Sequence, residues 1–338
     1  MKISWRRAMT ATGIYRELCK KLMLENSSLL ARIWELVASE EEALVLNAMP
    51  GTPEDLSART GIDPARVGEI LASLFHRGAA FEAVKAGAII YRMPRHVVQF
   101  HDSSLLWAEA PPGFSKLWVE FMDTDYNQLV ELAAAVKLPA FMRVIPVNRT
   151  LEPQSGVLPF EDAVRLIEQS ERIAVVPCVC RLSQKNCDSP LEACIQINKG
   201  AEYTIKRGTG REIDAREALA ILRKAEDAGL VHMVENKAGM GNAICNCCTC
   251  CCEMLRLANT AKASSVLAPS RFIAAVSSPD CTSCGVCADI CPVGAIAIGT
   301  DGIAAAKESC IGCGLCASHC VPGAVSLHQV RPENFIPS

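Results

Sequence analysis

The chain has 338 residues, half of them apolar, and 34 Lys and Arg against 37 Asp and Glu leave a formal charge of −3. That length allows two or three domains with a buried core, and that charge excludes a global basic field of the kind that gathers nucleic acid. The outlier is cysteine, with nineteen residues, eighteen of them after position 177.

At the amino terminus the apolar stretch around Ile14 is broken by Arg16, Glu17, Lys20 and Lys21, which is not a signal-peptide layout. No long uncharged segment follows the paired arginines of Trp5-Arg6-Arg7-Ala8, so a twin-arginine export signal is not expected. No window offers ~18 uninterrupted apolar residues for a membrane span. The nearest, residues 129–142, is cut by Glu131 and Lys137. The expected location is cytoplasmic, where clustered thiols serve as metal ligands or redox groups rather than a disulfide frame.

Leu18, Leu22, Leu29, Leu30, Ile33, Leu36 and Val37 recur at roughly helical spacing and predict an apolar face toward a partner helix. Helices are then predicted over Glu40 to Ala48, Pro53 to Arg59 behind a Thr52 cap, and Pro64 to Arg77, ended by Gly78. Ala80 to Tyr91, with Lys85-Ala86-Gly87 as its turn, predicts a short hairpin. Helix, helix, turn, helix, ribbon is the order of a winged helix. The third helix carries Arg66, His76 and Arg77 but also Glu69, and residues 1–100 hold 13 Lys and Arg against 11 Asp and Glu. So small an excess does not neutralise several phosphates, which points to protein contact rather than nucleic acid. Cys19 reads as a core thiol.

Residues 102–158 contain loops at Pro111-Pro112-Gly113 and Pro153 to Gly156 around amphipathic helix, belonging either to the next domain or to an association surface. A helix from Phe160 to Ser170 and a strand from Arg172 to Val176 lead into Cys178 and Cys180, with Cys187 and Cys194 following. Asp214 caps a helix to Ala228, Gly229 stops it, and Leu230 to Val234 predicts a strand. The run of Cys245, Cys247, Cys248, Cys250, Cys251 and Cys252 comes next, then a helix from Glu253 to Ala258. Residues 259–279, rich in Ala, Ser and Pro, predict a linker or wrapping arm.

The last sixty residues contain a repeat. Cys281, Cys284, Cys287 and Cys291 recur twenty-nine residues on as Cys310, Cys313, Cys316 and Cys320, each set spaced C-x2-C-x2-C-x3-C. Three cysteines at intervals of three wrap a tight loop around one cubane, while the fourth points to the other side. The residues resemble bacterial two-cluster [4Fe-4S] ferredoxins over about 279–328. That resemblance implies one cluster on Cys281, Cys284, Cys287 and Cys320, and a second on Cys310, Cys313, Cys316 and Cys291. Gly285 and Gly314 are expected to let backbone amides approach inorganic sulfide. Pro292 follows Cys291 directly, whereas Val321 intervenes before Pro322 in the second copy. Zinc is the alternative, but its ligands usually come in pairs rather than as a duplicated run of four.

The ten middle cysteines, Cys178, Cys180, Cys187, Cys194, Cys245, Cys247, Cys248, Cys250, Cys251 and Cys252, make no ferredoxin loop. The six of the second group cannot all reach one metal, because neighbours on an extended segment point to opposite faces. One to three sulfurs from each group would hold at least one further Fe–S cluster. Structural thiols, with zinc or sulfur storage as variants, are the alternative, and against it ten crowded thiolates without metal would repel or oxidise. Arg181 reads equally as a cluster or anion contact and as a surface arginine. The scattered histidines His96, His101, His232, His319 and His328 form no metalloprotease frame, and no nucleotide-binding glycine motif is present.

The expected architecture is therefore α+β and multidomain. It comprises a helical, winged-helix-like domain (1–100), a helical connecting region (101–158), an α+β cysteine-rich domain (159–260), a linker (261–279) and a ferredoxin-like two-cluster module (280–338). The expected function is electron transfer with redox partner proteins, as a subunit or partner of a cytoplasmic anaerobic oxidoreductase. The N-terminal helices are a candidate homo-oligomer surface. A substrate reductase working at the middle cluster and a redox-sensing winged-helix regulator are the alternatives.

Overall fold

The computed structural model describes residues 11–85, 87–147, 150, 157–259 and 266–338. The Trp5-Arg6-Arg7-Ala8 pair, Ala86 of the hairpin turn, the Pro153 to Gly156 loop and residues 260–265 of the expected linker lie outside the described residues. The chain divides into two compact units, Met1–Gln128 and Leu129–Ser338.

The first unit contains α1 (Ala11–Lys21), α2 (Ser28–Val37), α3 (Glu40–Ala48), α4 (Pro53–Thr60) and α5 (Pro64–His76), then a ribbon of β1 (Phe81–Lys85) and β2 (Ala88–Arg92), then α6 (Val97–Ser104) and α7 (Phe114–Phe121). Local chemistry sets several of these boundaries. Thr52 and Asp55 form a reciprocal capping box at the start of α4, and Gly61 ends that helix in the left-handed conformation. Asp63 caps α5 through the amides of Ala65 and Arg66. Leu18, Leu22, Leu30, Ile33 and Val37 are buried, whereas Leu36 is exposed. The core is completed by aromatic rings from α6 and from α7, the latter within the expected connecting region (101–158). Trp34 stacks on Phe100 with centroids 3.9 Å apart, and Trp118 meets Phe100 edge-on at 5.3 Å. Rings in these arrangements add to simple area burial, so α6 and α7 belong to this unit.

Helix α8 (Asn127–Ala135) spans the division. In the second unit a seven-stranded sheet is built from β3 (Met142–Val144), β4 (Ile173–Pro177), β5 (Glu192–Ile197), β6 (Arg211–Glu212), β7 (Val231–Glu235), β8 (Ala243–Cys247) and β9 (Leu267–Ala268), in the order β6-β4-β5-β8-β7-β3-β9. All neighbours are antiparallel except β3 and β9. The helices between these strands are α9 (Ala163–Glu168), α10 (Val179–Gln184), α11 (Lys199–Lys206), α12 (Ala215–Asp227) and α13 (Glu253–Ala258). Ile173, Val175, Ile195, Ile197 and Ile244 of the sheet pack with Leu166, Ile167 and Leu222 of α9 and α12 to form the core. The strands alternate, so Cys245 and Cys247 take the face of β8 opposite to buried Ile244 and Asn246.

The remaining elements are β10 (Phe272–Val276), α14 (Val286–Asp289), β11 (Ile296–Ile298), β12 (Ala304–Ala306), α15 (Leu315–Ser318) and β13 (Val325–Gln329). Strand β10 pairs with β13 and β11 with β12, both antiparallel. Segment 261–279, expected as a linker, instead supplies β9 and β10. Its Ala, Ser and Pro content reads as irregular, but apolar Leu267 and Phe272–Val276 gain backbone partners in two sheets. Just before β10, Arg271 makes a two-pronged, fully buried ion pair with Glu161 at 2.8 and 2.7 Å. Among the described residues, no helix is long and apolar enough to cross a membrane.

Candidate metal centres

The sequence repeat is a structural repeat. Helices α14 and α15 occupy equivalent positions in the two copies, and each is preceded by a glycine with φ of +79°. At Gly285 a Cβ would meet nothing within 4 Å, so the left-handed backbone alone selects glycine there. At Gly314 a Cβ would also fall 2.7 Å from Thr150 Oγ1.

Two cavities lie beside these helices. The first is lined by Cys281, Cys284, Cys287 and Cys320. The second is lined by Cys291, Cys310, Cys313 and Cys316. The last cysteine of each run therefore lines the other run's cavity. Burial pushes the Cys316 thiol up to about 12, with the charges of Cys310 and Cys291 adding to the effect. Cys313 is pushed up in the same way. A protein that holds sulfurs this close without a cation keeps protons on them, and a metal binds by displacing those protons. The amide of Ala295 already donates to Cys291 Sγ at 3.1 Å.

The ten middle cysteines separate into six and four. The end of β4, the start of β5 and the end of β8 converge at one end of the sheet, and the β5–β8 register places Cys194 beside Cys245. Hydrogen bonds between thiols then close a ring of six: Cys178 with Cys180, Cys180 with Cys252, Cys252 with Cys247, Cys247 with Cys245, Cys245 with Cys194, and Cys194 with Cys178. Cys178 and Cys252 are held well below the usual thiol range by bonds from their neighbours, while Cys180, Cys194 and Cys247 are held well above it. Six thiolates in one ring would require positive charge inside it.

The other four, Cys187, Cys248, Cys250 and Cys251, bring their sulfurs within 4.8 Å of one another. Burial raises the Cys187 thiol, but the hydroxyl and amide of Ser189 and the thiols of Cys250 and Cys248 outweigh it and lower the value to about 6. Arg181 stands between the two groups. It is 3% exposed, donates through Nη1 and Nη2 to the Asn246 carbonyl at 3.2 Å, and reaches Cys248 Sγ at 3.7 Å. Burial opposes its charge, while Cys178, Cys248 and Cys194 more than restore it. Of the two readings the sequence allowed for Arg181, the structure selects contact with the cysteine site.

His232, one of the scattered histidines, is fully buried behind the ring. Its Nδ1 meets Asn246 Oδ1 at 2.5 Å and its Nε2 meets Glu226 Oε1 at 3.2 Å. The Asn246 amide continues to the Ala193 carbonyl at 2.6 Å. A polar residue in the middle of a cysteine run, on the core face of its strand, was the available signal. Cys19 is buried in the first unit, and burial pushes its thiol up to about 12, as suits a core thiol.

Residues 276–297, which include Cys281, Cys284, Cys287 and Cys291, match the family described as the 4Fe-4S binding domain. This is an iron–sulfur protein. Neither curated proteins nor solved structures match it. The matched segment covers the first run and the first copy of the loop, helix and strand described above.

Proposed function

We propose that this iron–sulfur protein is an electron relay with two [4Fe-4S] clusters at its C-terminal end and at least one further Fe–S cluster in the six-thiol ring. One cubane is held by Cys281, Cys284, Cys287 and Cys320, the other by Cys310, Cys313, Cys316 and Cys291. A fully thiolate-ligated cubane supplies one-electron exchange and leaves no iron open to substrate. The observation that carries this reading is the pair of cavities, each lined by three cysteines of one run and the fourth of the other. The donor chemistry fits, since all eight ligands are cysteines whose protons a metal would displace.

The residues between the centres support passage of charge within one compact unit. Cys252 caps α13, Asn259 closes it, and Asn259 Nδ2 donates to the Pro292 carbonyl, next to Cys291, at 3.3 Å. On the other side of Cys291, Ile290 packs against Gly229. A helix of this length rises about 10 Å, so the ring and the second cavity are near neighbours. Electrons come from and go to partner proteins, because no nucleotide-binding motif accompanies the cysteines.

The first unit is read as a winged-helix-like docking element rather than a nucleic-acid reader. The cations that α5 would present are paired with carboxylates. Arg66 bridges Glu41 and Glu69, His76 meets Glu109, and Arg77 meets Glu42. The deciding experiment is anaerobic purification with iron and sulfide counted per chain, and EPR of the reduced protein. About eight irons with eight sulfides would confine clusters to the C-terminal cavities, and more acid-labile sulfide than that places a further cluster in the ring. Colourless protein without sulfide would end the proposal.

A further inference from the structure

The four-cysteine group differs in geometry from every other cysteine set in the chain. Its sulfurs lie 3.7 Å apart between Cys187 and Cys248, and 3.9 Å apart both between Cys187 and Cys251 and between Cys250 and Cys251. Thiolates bound at about 2.3 Å to the corners of a tetrahedron around one ion stand about 3.8 Å from each other. A cubane instead distributes its four thiolates over four separate irons, which spreads them wider. The chain contains its own yardstick for that difference. Among the described residues, this group alone brings three or more ligating atoms all within 4.8 Å of one another, whereas the two C-terminal sets and the ring remain more open.

We infer that Cys187, Cys248, Cys250 and Cys251 hold a single divalent ion of the zinc or ferrous class in a tetrahedral four-thiolate site, separate from the six-thiol ring. The inference goes beyond the relay reading and stands whether or not the ring carries a cluster. Charge balance agrees with it. Four thiolates around a divalent ion leave two negative charges, and buried Arg181 donates to the Cys248 sulfur from outside the site. Supporting bonds orient the ligands, as they do around metal sites generally. Asn186 Nδ2 donates to the Cys250 carbonyl at 3.0 Å, and Ser189 bonds to Cys187. The ion would fasten the loop after α10 to the segment after β8. Helix α10, which runs into the first segment, carries Cys180 of the ring, and the second segment carries Cys252, so the ion would fix the ring's opening.

The test is Cys250→Ser in the full chain, purified without oxygen, with zinc, iron and sulfide counted per chain. The expected result is loss of one metal ion with no change in sulfide. Loss of several irons together with equal sulfide would overturn the inference in favour of a cubane, and so would an unchanged metal count. If the variant fails to fold, wild-type protein decides. X-ray absorption at the zinc edge should show four sulfurs at about 2.3 Å, or Mössbauer spectra should show one high-spin ferrous four-sulfur ion per chain. Wild-type protein showing neither signal overturns the site.

Discussion

Arg181 shows how much one residue holds in the middle site. Its side chain is buried, its Nε has no hydrogen-bond partner among the described residues, and its two terminal nitrogens share the Asn246 carbonyl. An arginine so enclosed is tolerated because thiolates of both cysteine groups surround it. Removing one member of a buried charged set leaves the other uncompensated, at a cost of about 3–5 kcal/mol. Arg181→Met is therefore expected to lose about that much in denaturant unfolding of the second unit and to bind metal more weakly in the four-cysteine group. Arg181→Lys should fall between, because it keeps the charge but lacks the planar fork that reaches the carbonyl with two nitrogens. Equal stability of Arg181→Met and wild-type protein would show that the thiolate charge is balanced elsewhere.

At the scale of elements, the sequence announced what repeats or alternates and hid what depends on distant strands. Caps at Thr52 and Asp214 and the stops at Gly61, Gly78 and Gly229 are local chemistry, and helices α3 and α13 have the boundaries their residues predict. The C-terminal repeat was legible because its cysteine spacing is itself the signal, and residues 276–297 of it match the 4Fe-4S binding domain. Leu267 and Phe272–Val276 were not, since an Ala- and Ser-rich stretch becomes strand only when β3 and β13 arrive beside it. The division of ten cysteines into six and four was likewise invisible, although strand alternation already separates Cys245 and Cys247 from Cys248. Which of them meet Cys187 and which meet Cys194 is set by β5 pairing with β8. The crossing of the fourth cysteine has a direct test. Cys291→Ser should abolish the same EPR signal as Cys313→Ser, and Cys320→Ser the same signal as Cys284→Ser, each with loss of about four irons. Signals grouped by sequence run instead would refute the crossed assignment. In the first unit, α3 and α5 are joined by Glu42 and Arg77. Burial pushes the Glu42 carboxyl up, but bonds from Arg77 and Ser39 and the arginine's charge outweigh it and hold the group below its usual value. In the unfolded chain that carboxyl takes up its proton near pH 4.3, earlier than in the folded one. Its stabilisation is complete above that point and lost as pH falls through the lower folded value. All four tryptophans precede Leu129, so their emission reports on the first unit. Acid unfolding followed by tryptophan emission should show a flatter dependence below pH ~4.3 in Glu42→Gln, and an unchanged slope would assign the acid sensitivity to another group.

For the molecule as a whole, the second unit places its centres in a sequence from surface to interior. Cys284 is exposed and lines the first cavity. The second cavity is reached next, since Cys316 feels the charge of Cys287 as well as those of its own set. Cys291 of that cavity is flanked by Ile290 against Gly229 and by Pro292 against Asn259, which lead to the cysteine-rich end of the sheet. Leu230, next to Gly229, packs against Cys248 and Cys251. Under the proposed assignment, a partner protein docking at the exposed cavity would be served first by a cluster on Cys281, Cys284, Cys287 and Cys320. Cys284→Ser tests the order. The variant should lose about four irons with their sulfides while keeping the iron of the ring and the ion of the four-cysteine group. With reduced methyl viologen as donor, stopped-flow absorbance should show slower reduction of the remaining iron, because the outermost acceptor is gone. Iron content equal to wild type would remove Cys284 from the ligand set, and an unslowed reduction after loss of that cluster would place the entry point for electrons elsewhere on the unit.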